Sequence, residues 1–242
     1  MISLCITTYN RTDLLFDSFA QVLDDPRISE IVIVDDCSDE VVWKSINNRL
    51  DESKEFLISR PKIKLYRNDK NLDCYRNKRE AISKATNEWC ILLDSDNVIT
   101  PDYLHAIDYM DKFLGGLHAS FAYQPSFAKP HFDFRAFEYN GYDRSNVAQY
   151  MDIPNFETML NAMNYFVSRD EYLRVWDGSI DPVTSDSLYQ NYRWLEAGNS
   201  IYVVPGMHYE HRVHDGSHYK NNVKRTPRGF HDDIINRLKA MR

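Results

Sequence analysis

The chain has 242 residues, a formal net charge of −7, 43% apolar residues and 27% charged residues. That length builds one sizeable α/β domain with a full core, and the negative balance argues against general nucleic-acid binding. No apolar run approaches the roughly 18 residues that a membrane span needs. The N-terminus opens directly on an apolar strand without a basic leader, so no signal peptide is expected and the expected location is cytoplasmic.

The first half alternates strand and helix signals. Ile2 to Thr7 reads as a short apolar strand, and Asp13 to Leu23 carries Leu14, Leu15, Phe19, Val22 and Leu23 at helical spacing behind Thr12. Ile31 to Val34 is a second buried strand ending at Asp35-Asp36, followed by a helix over Glu40 to Glu52. Ile63 to Tyr66 is a third strand, Tyr75 to Ala85 a helix, and Trp89 to Leu93 a fourth strand. This order predicts a mostly parallel sheet with helices on both faces. Ligands of such sheets bind outside the carboxyl ends of the strands. Thr7-Thr8-Tyr9-Asn10, Asp35-Asp36 and Asp94-Ser95-Asp96 all fall at those ends.

The second half is less regular. Pro101 to Phe113 reads as a helix, Phe121 to Tyr123 and Tyr165 to Val167 as strands, and Arg169 to Val175 as a helix. Lys129 to Pro154 is aromatic, polar and without clear period, which suggests a binding loop that contributes to ligand choice. Ser185 to Ala197 reads as a helix stopped by Gly198, and Ile201 to Val204 as a strand before the His-rich run His208 to His218. The reading divides the chain into residues 1–222, one domain, and 223–242, a basic amphipathic tail. Phe230, Ile234, Ile235, Leu238 and Met241 share one face of that tail. It either docks on its own core or makes peripheral contact with an anionic membrane or a second copy. Cys5, Cys37, Cys74 and Cys90 form no Cys-x-x-Cys pair and read as reduced thiols of an intracellular protein. The 16 Tyr and 12 Phe offer stackable surface to sugars and bases, or simply fill core and rim.

The most informative stretch is Ile91-Leu92-Leu93-Asp94-Ser95-Asp96. A buried strand delivers two carboxylates to its tip, where they can share one divalent cation and, through it, grip a diphosphate. Oxygen ligands of this kind suit Mg2+ or Mn2+. A turn capped by its own carboxylates is the plainer alternative.

The order of these clusters resembles the inverting family-2 glycosyltransferases of GT-A fold. Cys5-Ile6-Thr7-Thr8-Tyr9-Asn10-Arg11 is similar to the family's first-strand motif, with Thr7 where Pro is usual. Val34-Asp35-Asp36-Cys37-Ser38 is similar to its Asp-Asp-Gly-Ser, with Cys37 in place of Gly. Asn71-Leu72-Asp73-Cys74-Tyr75-Arg76-Asn77 is similar to its Asn-x-Gly…Arg-Asn, with Asp73 in place of Gly. Asp94-Ser95-Asp96 falls at the metal position, Trp176 to Asp181 looks like the acceptor-side segment, and Thr184-Ser185-Asp186 stands where Glu-Asp is usual. The resemblance implies a GT-A, nucleotide-diphospho-sugar transferase-like α/β fold. It also implies metal-dependent transfer of a sugar, most simply from a UDP carrier with thymidine and guanosine carriers left open, to a hydroxyl on a glycan, a lipid-linked glycan or a protein, in glycan or polysaccharide synthesis.

Roles follow from the same resemblance. Asp36 would accept the imide N–H of the base, with Thr7, Thr8, Tyr9 and Arg11 beside it; a turn carboxylate is the plainer reading of Asp36. Arg76 would reach base or phosphate, or else form a surface ion pair. Asp96 would be the principal metal ligand, Asp94 would act through water or the ribose with Ser95 alongside, and a histidine would join the metal, His211 first and His208 second. Lys70, Lys78 and Arg79 have solvation as their simplest reading. Asp186 would be the general base and Asp181 its reserve. A nucleotidyltransferase is disfavoured because Thr7 to Arg11 lacks the Gly-rich basic loop such an enzyme needs. A non-catalytic nucleotide-sugar-binding module is the remaining alternative.

Overall fold

The computed structural model describes residues 1–162, 164–215 and 222–241. In chain order the elements are β1 (Ile2–Thr8), α1 (Thr12–Phe19), β2 (Ile28–Asp35), α2 (Glu40–Glu52), α3 (Lys54–Leu57), β3 (Ile63–Arg67), α4 (Asp73–Lys84), β4 (Trp89–Asp94), β5 (Val98–Ile99) and α5 (Pro101–Leu114). There follow β6 (Phe121–Lys129), β7 (Phe132–Asp133), β8 (Gly141–Tyr142), α6 (Phe156–Leu160), β9 (Phe166–Ser168), α7 (Arg169–Val175), α8 (Asp186–Glu196), β10 (Ser200–Glu210) and a C-terminal helix α9 (Phe230–Lys239).

Among the described residues one sheet runs β3-β2-β1-β4-β9-β6-β10-β5, with β7 on β6 and β8 on β10. β1 pairs in parallel with β2 and β4, β2 with β3, and β6 with β10, whereas β9 is antiparallel to both β4 and β6. The parallel strands are apolar on both sides because both faces are covered. Alternation then sorts the core into two layers. Cys5, Val32, Val34 and Leu92 face one layer with Trp194 and Leu188 of α8. Leu4, Ile6, Ile31, Ile33, Ile91 and Leu93 face the other, with Phe16 of α1 and Leu104 of α5.

Two stretches differ from the sequence reading. β10 does not stop at Val204 but continues to Glu210, its register with β6 shifting between Val204 and His208 around Gly206 at φ 70°. His208 is therefore a strand residue and not part of a loop. Residues 129–154 are not an open loop either. Phe134, Phe137, Tyr142, Val147 and Met151 are buried in the α8 layer, and Phe137, Tyr142 and Phe156 meet edge to face. Short strands and single turns bury these aromatics at irregular spacing, so no period shows in the sequence. The tail helix α9 docks against α8 and buries Ile234 and Leu238 in the same layer. No described helix is long and apolar enough to cross a membrane, and none of the four cysteines is in a disulfide.

At the amino end of the strands Glu30 is 3% exposed and ties four segments together. It accepts from Ser3 Oγ of β1, from Lys64 of β3, and from Thr86 N at 2.8 Å, just before β4. Burial opposes its charge, but the bonds from Lys64, Ser3 and Thr86 outweigh it and hold its pKa below the ordinary glutamate value. A carboxylate depressed in the folded state stabilises the fold above its unfolded pKa, and that stability is lost as pH falls through the folded pKa. Glu30→Ala should cost about 3 kcal/mol, the scale of breaking a buried pair. Urea unfolding at pH 7 measures the loss, and its difference from wild type should narrow in acid.

Candidate functional site

Strand register brings the polar clusters together. Thr7 pairs with Val34 on one side and with Asp94 on the other, so the three strands end level. Asp36 N then donates to Thr8 O at 2.9 Å, and Ser95 N to Thr7 O at 3.2 Å, extending the pairing by one residue beyond the strand tips. The result is a cleft of about 1450 Å³ at the carboxyl edge, lined among others by Thr7, Thr8, Tyr9, Arg11, Asp36, Asp94, Asp96 and Asp186.

The loops that floor this cleft carry unusual backbone. Cys37 and Asp73, the residues standing where glycines were expected, both have φ 62°. The left-handed turns are retained without glycine, at a cost of about 1 kcal/mol each. Asn10, at φ 53°, ties the first loop to the second, its N donating to Ser38 Oγ at 2.8 Å and its Oδ1 accepting from Asp39 N at 2.9 Å. Val183 adopts φ 50°, rare for a β-branched residue, three positions before Asp186.

Asp36 is 3% exposed, and its Oδ1 accepts from Asn68 Nδ2 and Leu72 N, both at 2.8 Å. Burial outweighs these bonds and raises its pKa. Its neighbour Asp35 is wholly buried and caps the turn through Ser38 N at 3.0 Å. Asp96 Oδ2 receives Arg11 Nη1 at 2.8 Å and lies 3.2 Å from His214 Nε2. Asp94 takes Asn164 Oδ1 on its backbone N at 2.9 Å and Thr7 Oγ1 on its carboxylate at 3.5 Å. Burial and the charges of Asp96 and Asp186 raise the pKa of Asp94 against the pull of Lys78.

Lys78 is the group that unites the site. Its side chain is 5% exposed and its Nζ lies 2.8 Å from Asp186 Oδ2 and 3.2 Å from Asp94 Oδ1. Burial works against the ammonium, but Asp186 and Asp94 outweigh it, so its pKa stands well above the ordinary lysine value. Asp186 itself occupies the first position of α8, 7% exposed.

Several expected residues lie elsewhere. Ser95 is fully buried, because the middle residue of Asp-Ser-Asp turns to the opposite side from its neighbours. Arg76 points off α4 to Asp181 at 3.6 Å, both about a third exposed and neither bordering the cleft. Asp181 also accepts from Val183 N at 3.2 Å, which makes it a turn-holding residue and not a base facing a ligand. His208 stacks on Phe127 at 4.6 Å and approaches Asp102 at 3.8 Å, outside the cleft, because β10 carries it inside the sheet. His211 does border the cleft, boxed by Phe132 at 5.1 Å and His131 at 5.5 Å, and burial lowers its pKa. Of residues 129–154, Phe132 alone borders the cleft among the described residues.

From sequence Lys78 reads as solvated, His214 is the third of the spaced histidines behind His211 and His208, and Arg212 is not singled out. Lys78 had a signal: with Tyr75, Ala81 and Ile82 it lies on the buried face of α4, where a solvated lysine does not belong. Arg212 had none. Its Nε donates to Asp96 O at 2.7 Å and its Nη2 to Leu14 O at 2.9 Å, which pins the Asp94–Asp96 turn to α1 from the end of β10. The opposite wall comes from α6 and the tail. His231 Nδ1 lies 3.1 Å from Ser185 Oγ, and its Nε2 lies 2.7 Å from Glu157 Oε1. Arg225 Nη2 reaches Asp73 Oδ2 at 2.9 Å.

Among the described residues no group of three His, Cys, Asp or Glu is already gathered around a cation position. Asp96, Asp94 and His214 nevertheless offer a donor set of carboxylate oxygens and one imidazole at the cleft edge. The oxygen of Asp96 shared by Arg11 and His214 already attracts a cationic partner. Such a set suits Mg2+ or Mn2+ with positions left for phosphate oxygens.

A family model described as glycosyl transferase family 2 matches residues 3–137. Solved structures share the fold at low identity. Residues 1–349 of TarS from S. aureus align at a TM-score of 0.62 and 12% identity, over 86% of this chain and 59% of that one. The same TarS region in complex with UDP-GlcNAc gives 0.62 and 15%, over 90% and 60%. The mannosyltransferase PcManGT from Pyrobaculum calidifontis, in complex with GDP-Man and Mn2+, gives 0.65 and 14%, over 98% and 68%. This chain therefore spans 59% of the TarS 1-349 chain. A search of curated proteins by sequence found no match.

Arg212→Ala should lower stability by about 2 kcal/mol, since it strips charge-assisted bonds from several carbonyls at once. Arg212→Lys should recover little, because one ammonium lacks the planar fork that reaches them together. Thermal unfolding of the three proteins measures this, and a wild-type midpoint for Arg212→Ala would refute the role.

Proposed function

This chain belongs to glycosyl transferase family 2, and we propose that it moves a sugar from a UDP-linked donor to a hydroxyl acceptor with inversion at the anomeric carbon. The observation that carries the proposal is the convergence of Asp36, Asp94, Asp96 and Asp186 on one cleft at the carboxyl edge of the sheet. The donor chemistry of the bound relatives, UDP-GlcNAc for TarS and GDP-Man for PcManGT, supports a nucleotide sugar as ligand class.

In this reading the base of the nucleotide lies against Thr7, Thr8 and Tyr9, and Asp36 accepts its imide N–H. A pyrimidine is favoured because one carboxylate answers its single imide donor. Arg11 turns from Asp96 toward the diphosphate, a planar cation suited to two phosphate oxygens. A divalent cation held by Asp96 with Asp94 and His214, or with His211 on the same edge, would supply charge to the departing diphosphate. Asp186 takes the proton of the acceptor hydroxyl as that oxygen attacks from the face opposite the leaving group. The sugar-to-oxygen bond forms as the sugar-to-phosphate bond breaks, and the configuration inverts. Glu157, Asn161 and His231 form the wall on the side of α6 and the tail, and we assign acceptor binding to it. Glycan, lipid-linked and protein hydroxyls are all compatible with its polar character. Contact of the tail with a membrane surface or a second copy is a weaker expectation, since the apolar face of α9 is already spent on the core.

Incubating the protein with UDP-, GDP- and TDP-sugars in Mn2+ should release nucleoside diphosphate from one class, and EDTA should stop the release. Asp186→Asn should lower turnover by about 10³-fold, within the range of general-base loss, while UDP affinity by calorimetry stays near wild type. Full turnover by that variant removes Asp186 from the reaction.

UDP affinity should also fall on acidification. Protonation strips Asp36 of the charge that makes it a strong acceptor for the imide N–H, and its raised pKa brings that loss in at a higher pH than for an ordinary aspartate. Asp36→Asn should bind weakly at every pH. Equal affinity of wild type and variant at neutral pH would end the assignment.

A further inference from the structure

We infer that Lys78 is a positioning residue for the transfer step: its ammonium pins one oxygen of Asp186 and so aims the other at the acceptor hydroxyl. The inference rests on the transfer reading above and deepens it.

The observations are geometric. Lys78 comes from α4, Asp186 from the first turn of α8 and Asp94 from the tip of β4, and the three meet inside the cleft. Lys78 Nζ is 2.8 Å from Asp186 Oδ2 and 3.2 Å from Asp94 Oδ1, with the lysine side chain 5% exposed. Packing alone does not explain such a residue. Burying an ammonium costs several kcal/mol, and an apolar side chain of similar volume fills a helix face at least as well. The other buried residues of α4 are Tyr75, Asn77, Ala81 and Ile82, so Lys78 is the one charged group among them.

A carboxylate serving as base needs one oxygen held and one oxygen free. A charge-assisted bond to Oδ2 stops rotation about the side-chain torsions, and such pre-orientation is where an enzyme gains most in proton transfer and attack. Among the described residues the hydrogen bond to the Asp186 carboxylate falls on Oδ2, from Lys78. The second bond, to Asp94, links this orientation to the carboxylate nearest the donor. Asp94 and Asp186 are thus held apart at a fixed spacing by one cation between them.

The test is a double-mutant cycle with two readouts. Wild type, Lys78→Met, Asp186→Asn and the double variant are assayed for single-turnover release of UDP from the donor, and for UDP affinity by calorimetry. Lys78→Met should lower turnover about 10²-fold, a typical loss for misaligned groups, with UDP affinity within about threefold of wild type. On the Asp186→Asn background the same change should cost nothing further, because the group it orients is gone. Lys78→Arg keeps the charge but moves it. It should fold where Lys78→Met does not, and should lose about tenfold in turnover on the wild-type background alone. Equal losses on both backgrounds, a tenfold drop in UDP affinity with turnover kept, or full turnover by Lys78→Arg would each overturn the assignment. A wild-type protein that turns over no nucleotide sugar overturns the transfer reading beneath it, a separate result from additivity in an active protein.

Discussion

The cleft must hold Asp94, Asp96 and Asp186 close together, and like charges in a partly desolvated space oppose that arrangement. The fold answers with cations placed between the acids. Lys78 stands between Asp94 and Asp186, and Arg11 stands on Asp96. Each is positioned differently. Lys78 is rooted on a helix face and nearly buried, so its position is part of the architecture. Arg11 lies in the loop after β1, 17% exposed, so packing does not lock it onto Asp96. One buried cation and one more exposed cation together offset the repulsion within a single set of acids.

This arrangement depends on backbone that sequence rules treat as unfavourable. Cys37, Asp73 and Val183 all take positive φ beside the cleft. Isolated strain of this kind persists when its surroundings over-determine it, and the contacts doing so are visible. Asp36 is fixed through Leu72 N, immediately before Asp73, and Asp181 holds Val183 N. Arg212 restrains the third loop through carbonyls, a role needing no conserved partner residue, only a chain crossing at the right height. The sheet supplies that height, since β10 runs six residues beyond Val204 to deliver it.

The parallel half of the fold was legible because two-sided burial writes unbroken apolar runs, and each run ends in polar residues at one edge. Asp36, Asp94, Asp96 and Asp186 were legible as candidates for the same reason, each standing at the end of an element. Lost were residues whose function depends on where a strand stops. A strand read as ending at Val204 releases His208 into a loop, whereas the longer β10 keeps it stacked on Phe127 and carries His214 to Asp96 instead. Arg76 illustrates a different limit. Two positions on a helix decide which side chain faces inward, and Lys78 on the face of Tyr75 and Ile82 points to the acids while Arg76 points to Asp181. Motif matching favours the arginine, and helical phase favours the lysine.

The tail completes one wall of the cleft through Arg225 and His231. Where Glu-Asp is usual, this chain has Ser185-Asp186, so the carboxylate beside the proposed base is absent from α8. His231 occupies the gap, bonded to Ser185 Oγ on one side and to Glu157 of α6 on the other. An acid is thereby returned to the neighbourhood of Asp186, but carried by a different element and relayed through an imidazole. The same tail is tied to the loop before α4 by Arg225 on Asp73, a carboxylate that a glycine at that position does not provide. Two departures from the family motif, Asp73 for Gly and Ser185 for Glu, therefore both face the C-terminal segment. They are best understood together, as the changes that let residues 223–231 serve as part of the cleft while α9 anchors them through Ile234 and Leu238.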